Sequence, residues 1–244
     1  MAKNSKFGSL FKESSKSPQK KEKKKIGEFQ RLKMAARARF VHTNARALKM
    51  PGRLLALDLS LNNTGMIVFS EEGYILRSCT LRHGIETKDL SPRELRTKKT
   101  ERLIAIINEI IGVCKFFSVC YVGIEGYSYK SQFQSHQIGE IGGALNVQLW
   151  LALKIIPYII PPAQGRKFLF DYAGHDQGDL KNVVFDILVN ECNLFLEDEH
   201  QADAYVTGRY CFNLISADKQ IEKIVAVPEL EGERDIDENP TNDK

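Results

Sequence analysis

Cysteine is scarce in this 244-residue sequence, and none of it falls into a metal-binding or redox motif. The five residues, Cys79, Cys114, Cys120, Cys192 and Cys211, are odd in number and contain no C-x-x-C step, which argues against a structural zinc site and a disulfide framework. Buried, reduced thiols are the expectation. Long apolar runs are missing too. The longest candidate, Leu145 to Ile160, is broken by Lys154 and Pro157, so no segment reads as a membrane span. The lysines at the amino terminus are followed by no apolar stretch, so no secretory signal is read there and an intracellular setting is expected.

Positive charge is abundant, but it is unevenly placed. Residues 1–50 hold fifteen Lys and Arg against three Asp and Glu, a net of +12, which leaves −8 for the remainder of a chain whose formal net charge is +4. A basic end of this kind seeks a polyanion. Residues 1–25 are Lys- and Ser-rich and cannot bury a core. Residues 26–49 mix Phe29, Leu32, Met34 and Ala35 with Arg31, Lys33, Arg37 and Arg39, a pattern for a basic helix, formed on its own or on binding. The reading is therefore a basic arm over 1–50, a folded unit over 51–217 and an acidic tail over 218–244. Deleting the arm is expected to leave the folded unit intact while weakening attraction to such a polyanion.

The folded unit alternates apolar runs with turns. Leu54–Leu57, Gly65–Phe69 and Tyr74–Leu81 read as strands joined at Asn62-Asn63 and Glu72-Gly73, an antiparallel meander. Ser91-Pro92 opens a helix, Val119–Ile124 is a buried strand, and a helix over 135–153 precedes a strand over Ile155–Ile160. Residues 163–178 read as a loop containing Gly165, Gly174 and Gly178. Two helices follow, one from Asp179 to Cys192 and one from Glu199 to Leu214.

Two acids close apolar strands: Asp58 after Leu54-Leu55-Ala56-Leu57 and Glu125 after Val122-Gly123-Ile124. A carboxylate in such a place is costly unless it faces a cation. Strands one and four can lie side by side, which would bring the two acids together, and a divalent metal relieves their repulsion. A third group lies in Asp198-Glu199-His200-Gln201-Ala202-Asp203-Ala204. His200 and Asp203 are three apart and share a helix face, while Ala202, Ala204 and Gly208 are small enough to let that helix approach the sheet. A mostly oxygen donor set suits Mg²⁺ or Mn²⁺ better than zinc. Taken singly, each has a plainer reading: a turn acid at Asp58, helix-end charges at Asp198 and Glu199, a solvated residue at His200.

Together these three segments resemble the motifs of the RuvC-type Holliday junction resolvases, in the RNase H-like superfamily. Leu55-Ala56-Leu57-Asp58-Leu59-Ser60 with Thr64-Gly65 is similar to the first, although Leu59 takes the place of a Pro or small residue. Val122-Gly123-Ile124-Glu125 is similar to the second, and His200-Gln201-Ala202-Asp203-Ala204 to the last. The resemblance covers about residues 53–215. It implies an α/β fold with a mixed sheet, three antiparallel strands and then parallel ones, flanked by helices. It also implies a homodimer that cuts four-way DNA junctions with two Mg²⁺ ions, Mn²⁺ substituting, in the cytoplasm or another DNA-containing compartment. Asp58, Glu125, His200 and Asp203 would be the catalytic and metal-binding set: Asp58 bridging the ions, Glu125 and Asp203 holding one each, His200 binding metal or helping to activate water. Lys181, in Gly178-Asp179-Leu180-Lys181, is similar to the family's basic contact, with Arg166 and Lys167 as weaker candidates for a phosphate. Tyr127, Tyr129 and Phe133 could stack on unpaired DNA bases, and could equally be dimer or core residues. Two other readings stand beside this one. An actin-like or sugar-kinase ATPase would use Asp58 to Gly65 as a phosphate loop, but lacks room for the duplicated domain. A non-catalytic DNA-binding protein would use only the basic arm.

Overall fold

The β-branched and leucine-rich runs of the chain form strands, and the spacing between them sets how they pair. A computed structural model describes residues 26–45, 49–84, 88, 90–126, 135–172 and 180–225. Helix α1 (Glu28–Ala45) precedes strands β1 (Arg53–Asp58), β2 (Asn63–Phe69) and β3 (Ile75–Arg82). Then come α2 (Pro92–Phe116), β4 (Val119–Glu125), α3 (Ser135–Leu153), β5 (Tyr158–Ile160), α4 (Pro162–Phe170) and α5 (Leu180–Asp186). A π-helical turn, Ile187–Glu191, continues α5, and α6 spans Glu199–Val225. The strands make one sheet in the order β3-β2-β1-β4-β5. The first three run antiparallel as a meander, and β4 and β5 run parallel to β1, as the strand order predicts.

Alternation along β1 divides the core in two. Leu55 and Leu57 pack with Val122 and Ile124 under α2 and α3, through Ile106, Ile110, Ile141 and Leu145. Leu54 and Ala56 face the other way, into the larger core built by α1, α4, α5 and α6. Both faces of β1 are covered, which is why its sequence is a continuous apolar run instead of an alternating one. Helix α2 starts with the expected Ser91 cap: the Glu94 backbone N–H donates to Ser91 Oγ (3.3 Å), and Glu94 Oε2 accepts from the Ser91 backbone N–H (2.8 Å). On α6, Ala202 and Ala204 are buried, and a Cβ at Gly208 would run into Phe69 and Ala56. The small residues do bring α6 against the sheet.

Three expectations change. Residues 162–170 are helical, not loop. Pro162 sits at the first helical position, where its missing N–H costs nothing. Gly165 is buried, and a Cβ there would meet Val206 Cγ1 at 3.0 Å, so it is a contact point and not a breaker. Strand β5 is shorter than predicted, because Pro157 cannot donate to a ladder and pairing begins at Tyr158. Helix α6 runs on to Val225, past the boundary drawn at 217.

Residues 28–45 differ most from a free arm. Helix α1 is docked on the fold: Met34, Ala35, Ala38 and Val41 are buried in the larger core, while Arg31 and Arg39 reach Asp186 (3.2 Å) and Glu191 (3.7 Å). At its far end His42 Nδ1 lies 2.6 Å from the hydroxyl of buried Tyr205, which also accepts from Arg209 Nε at 2.8 Å. Arg209 is itself buried, stacked over the Phe69 and Tyr205 rings and donating to the Gly73 carbonyl. Among the described residues no helix is long and apolar enough to cross a membrane. Removing residues 1–50 therefore strips away a piece of core. Met34→Ala should cost about 2–5 kcal/mol, seen as a lower denaturant midpoint at unchanged slope. A midpoint equal to the parent's would show that α1 is dispensable.

Candidate metal centre

Side-chain parity decides which way the strand-end acids point. Asp58 follows Leu54 and Ala56 in step, so it faces the α6 side of the sheet. On β4, Gly123 faces Cys211 of α6, and Glu125 follows two residues on. Strands β1 and β4 are parallel neighbours with Leu57 opposite Ile124, so Asp58 and Glu125 end side by side. Asp203 reaches them from the second turn of α6. The three carboxylates each bring an oxygen to within 4.8 Å of the others.

The turn after Asp58 is held by hydroxyls. Thr64 Oγ1 donates to the Ser60 carbonyl (2.6 Å), and Ser60 Oγ accepts from the backbone N–H groups of Asn62 (3.3 Å) and Asn63 (3.5 Å). Gly65, opposite Asp58, has a separate duty: any Cβ there would collide with the backbone of His200 and Gln201, so the α6 amino terminus can seat on β2 only over a glycine. Asp198 caps that terminus. It accepts from the Gln201 backbone N–H (3.1 Å), Thr80 Oγ1 (2.8 Å) and Arg82 Nη2 (3.0 Å). Partial burial opposes its charge, yet these donors hold its carboxyl below the usual range. Asp198 is thus a helix cap, the plainer of its two readings.

Withdrawal from water and mutual repulsion dominate the acids. Burial, then the charges of Asp203 and Asp58, push Glu125 well above the ordinary glutamate value, with Arg166 pulling the other way. Burial also raises Asp203, against the pull of Lys181 and Arg166. Lys181 Nζ sits 2.8 Å from Asp203 Oδ2. Its own burial works against its charge, but Asp203, Asp58 and Glu125 together hold it above the usual lysine range. His200 does not join the three converging oxygens. Its Nδ1 lies 2.9 Å from Asp58 Oδ2, and that hydrogen bond raises its pKa. Arg166, on α4, is partly buried with its Nε unpartnered, whereas Lys167 beside it is exposed. Tyr127, Tyr129 and Phe133 lie outside the described residues. Three hard oxygen donors, crowded and partly desolvated, fit a divalent cation such as Mg²⁺ or Mn²⁺, and the acidic cluster could bind one.

Sequence reasoning passed over His42, Tyr205 and Arg209, whose only linear signal is the four-residue step between the last two. It also passed over Asp198's three donors, two of which come from a strand more than a hundred residues away.

No protein-family model matches the chain, and no curated protein does. Solved structures do. Thermus thermophilus RuvC in complex with a Holliday junction substrate matches with a TM-score of 0.51 at 20% identity, over 68% of this chain and 96% of that one. The Thermus thermophilus RuvC structure matches with a TM-score of 0.50 at 19% identity, over 69% and 96%. The yeast mitochondrial Holliday junction resolvase Ydc2 aligns at 11% identity over 79% and 95%, with a TM-score of 0.46. The chain has an RNase H-like fold of the RuvC kind, the class implied by its three motifs.

The crowding of the acids has a measurable consequence. A carboxyl whose folded pKa is raised favours folding below its unfolded value, near 4.5 for Glu125. That contribution is lost as pH climbs through the raised value. In metal-free buffer at pH 8, Glu125→Gln should melt higher than the parent, by about 3 °C for each kcal/mol of repulsion removed. Added Mg²⁺ should raise the parent's Tm more than the variant's. A variant that melts lower in EDTA, beside a parent blind to Mg²⁺, would contradict a metal centre here.

Proposed function

We propose that this protein is a metal-dependent endonuclease that hydrolyses phosphodiester bonds in branched DNA, four-way junctions foremost. The observation that carries this reading is the convergence of Asp58, Glu125 and Asp203 within 4.8 Å at the carboxyl ends of two parallel strands of an RNase H-like sheet. Asp58, Glu125 and Asp203 would hold Mg²⁺, two ions with Mn²⁺ as substitute, and the bound metal supplies an acidified water and charge for the departing oxygen.

The chain's own groups do the rest. Asp58 orients His200 through Nδ1, which leaves Nε2 to take or give a proton at the scissile phosphate or its attacking water. This hydrogen bond favours proton handling over a fourth metal ligand. Lys181 holds Asp203 in place and brings a cation to the mouth of the site, half-exposed, where it can meet a non-bridging phosphate oxygen. Arg166 supports the same charge balance from α4. Tyr127 and Tyr129, closely following Glu125, are proposed to stack on bases beside the cut, and Lys167 to touch the backbone. A homodimer fits the surface of α3: Val147, Trp150 and Leu151 stand exposed on one face, next to exposed Ile156 and Ile159. The cytoplasm or another intracellular, DNA-containing compartment would supply such a substrate.

Asp58→Asn should abolish Mg²⁺-dependent cutting of a four-way junction and leave junction binding intact, because an amide keeps the shape and loses the charge. A fully active variant would refute the assignment. His200→Ala should lower the single-turnover rate by about 10²–10⁴-fold, the usual cost of removing a proton-transfer group, and His200→Asp should not restore it, whereas recovery by Asp would make position 200 a metal ligand. An alanine variant as fast as the parent would remove His200 from the mechanism. Comparing junctions, flaps, forks and linear duplex in one assay tests the preference for four-way DNA.

A further inference from the structure

The amino-terminal half of α2 carries positive charge that the acid site does not use. Arg93, Arg96 and Lys99 are exposed and follow at three-residue steps, so they form a ridge that winds round the helix toward half-buried Arg102, and exposed Lys98 lies beside it. Over Pro92–Leu103 the acids are Glu94 and Glu101. Glu94 is turned back on the cap, 2.6 Å from Ser91 Oγ. Among the described residues no ion pair joins Arg93, Arg96, Lys98 or Lys99 to a carboxylate. Residues 51–217 hold sixteen Lys and Arg against nineteen Asp and Glu, a net of −3 with this ridge included, so the ridge stands out against a mildly acidic folded unit.

Its place in the fold gives the charge a use. Helix α2 begins beyond the end of β3, where Arg82 pairs with Asn63, and so at the same end of the sheet as Asp58. Arg102 ties the two together: its Nη1 donates to Asn62 Oδ1 (2.9 Å) and the His83 carbonyl (3.4 Å), and Asn62 lies in the turn that follows Asp58. A groove of about 620 Å³ runs between turn and helix, lined by Leu61, Pro92, Arg96, Lys99, Arg102 and, from α3, Glu140. The acids face the α6 side of the sheet and the ridge lies on the α2 side, and the β1–β2 turn, which follows Asp58 and meets Arg102, joins the two.

We propose that this ridge is a second DNA-contact surface, which holds the phosphate backbone of a duplex arm as it leaves the acid site and crosses the β1–β2 turn. The inference rests on the nuclease reading above and extends it to the substrate beyond the scissile bond. Arg93 to Lys99, the part of the ridge not committed to the turn, spans about 9 Å of helix, the axial rise of about three phosphates on one strand. Exposed Arg and Lys bind phosphates without reading bases, so the grip is sequence-independent and selects for a substrate with a duplex arm in that direction. It also positions: an arm fixed on α2 sets which phosphodiester lies over Asp58.

The test compares the parent with Arg93→Gln/Arg96→Gln/Lys99→Gln, which spares Arg102 because it braces the turn. Lys115→Gln, at the far end of α2, is the control. Binding to a four-way junction, a linear duplex and a single strand of equal length is read by fluorescence anisotropy across a salt series, with Ca²⁺ in place of Mg²⁺. The triple variant should bind the junction about tenfold or more weakly, and its plot of log affinity against log salt should flatten by about 0.9 for each phosphate that is no longer neutralised. Lys115→Gln should match the parent. Equal slopes for parent and triple variant, with the parent still cutting junctions in Mg²⁺, would overturn the ridge and leave the nuclease standing. An equal loss on the single strand would overturn the assignment to a duplex arm. A parent that neither binds nor cuts any of the DNAs would overturn both readings.

Discussion

Three carboxylates held within 4.8 Å of one another repel, and much of the surrounding architecture contains that repulsion. Two like charges 4 Å apart cost about 4 kcal/mol at an effective dielectric near 20, a large share of a domain's net stability. Asp58 and Glu125 cannot separate, because each ends a strand locked into a parallel ladder. Asp203 cannot retreat, because α6 is pinned at its start by Asp198 and further along by Gly208 against Phe69 and Ala56. Relief comes from charge brought near the acids, Lys181 on Asp203 and Arg166 from α4, and from the hydrogen bond between His200 and Asp58. The same confinement makes the cluster suited to a divalent cation, since donors that cannot move need no reorganisation to bind one.

The division of labour between the two faces of the sheet follows from the pleat. One set of β1 side chains builds the α2–α3 core, and the other set ends in the acid pair facing α6. Every group in the acid cluster or touching it, His200 and Lys181 included, comes from the strand ends or from the α6 side. Helices α2 and α3 are thereby left free to present surface: a basic ridge at one end of α2, and an apolar stripe on α3 around Trp150. For the polyanionic substrate proposed above, local positive surface around a negative centre would offset the net negative charge of the folded unit.

The parts of the fold governed by short-range rules were legible in the sequence. Apolar runs closed by an acid marked β1 and β4, Ser91-Pro92 marked the start of α2, and the small residues of α6 marked its close approach. What escaped was set by packing partners remote in sequence. Gly165 reads as a breaker until Val206 is seen against it. The stripe Met34, Ala35, Ala38 and Val41 is too modest, among so many arginines, to announce a docked helix. Arg209 reads as a surface residue, yet it is buried on two aromatic rings beneath the Gly73 turn. Three of the four residues put forward for the site converge as carboxylates. The fourth, His200, was placed on the right helix face, but no rule of spacing says that its partner is Asp58 instead of a shared cation.

The cluster is also assembled from distant parts of the chain: 67 residues separate Asp58 from Glu125, and 78 more separate Glu125 from Asp203. Pairings of such long range form late, after the entropy of closing large loops has been met. During synthesis, at about 5–20 residues per second, the ribosome must deliver α6 before the three acids can meet. A truncated or stalled product that ends before Asp203 carries two strand-end acids and no completed cluster. Order of manufacture thereby governs assembly, and an unfinished copy of the chain is born without its acid cluster.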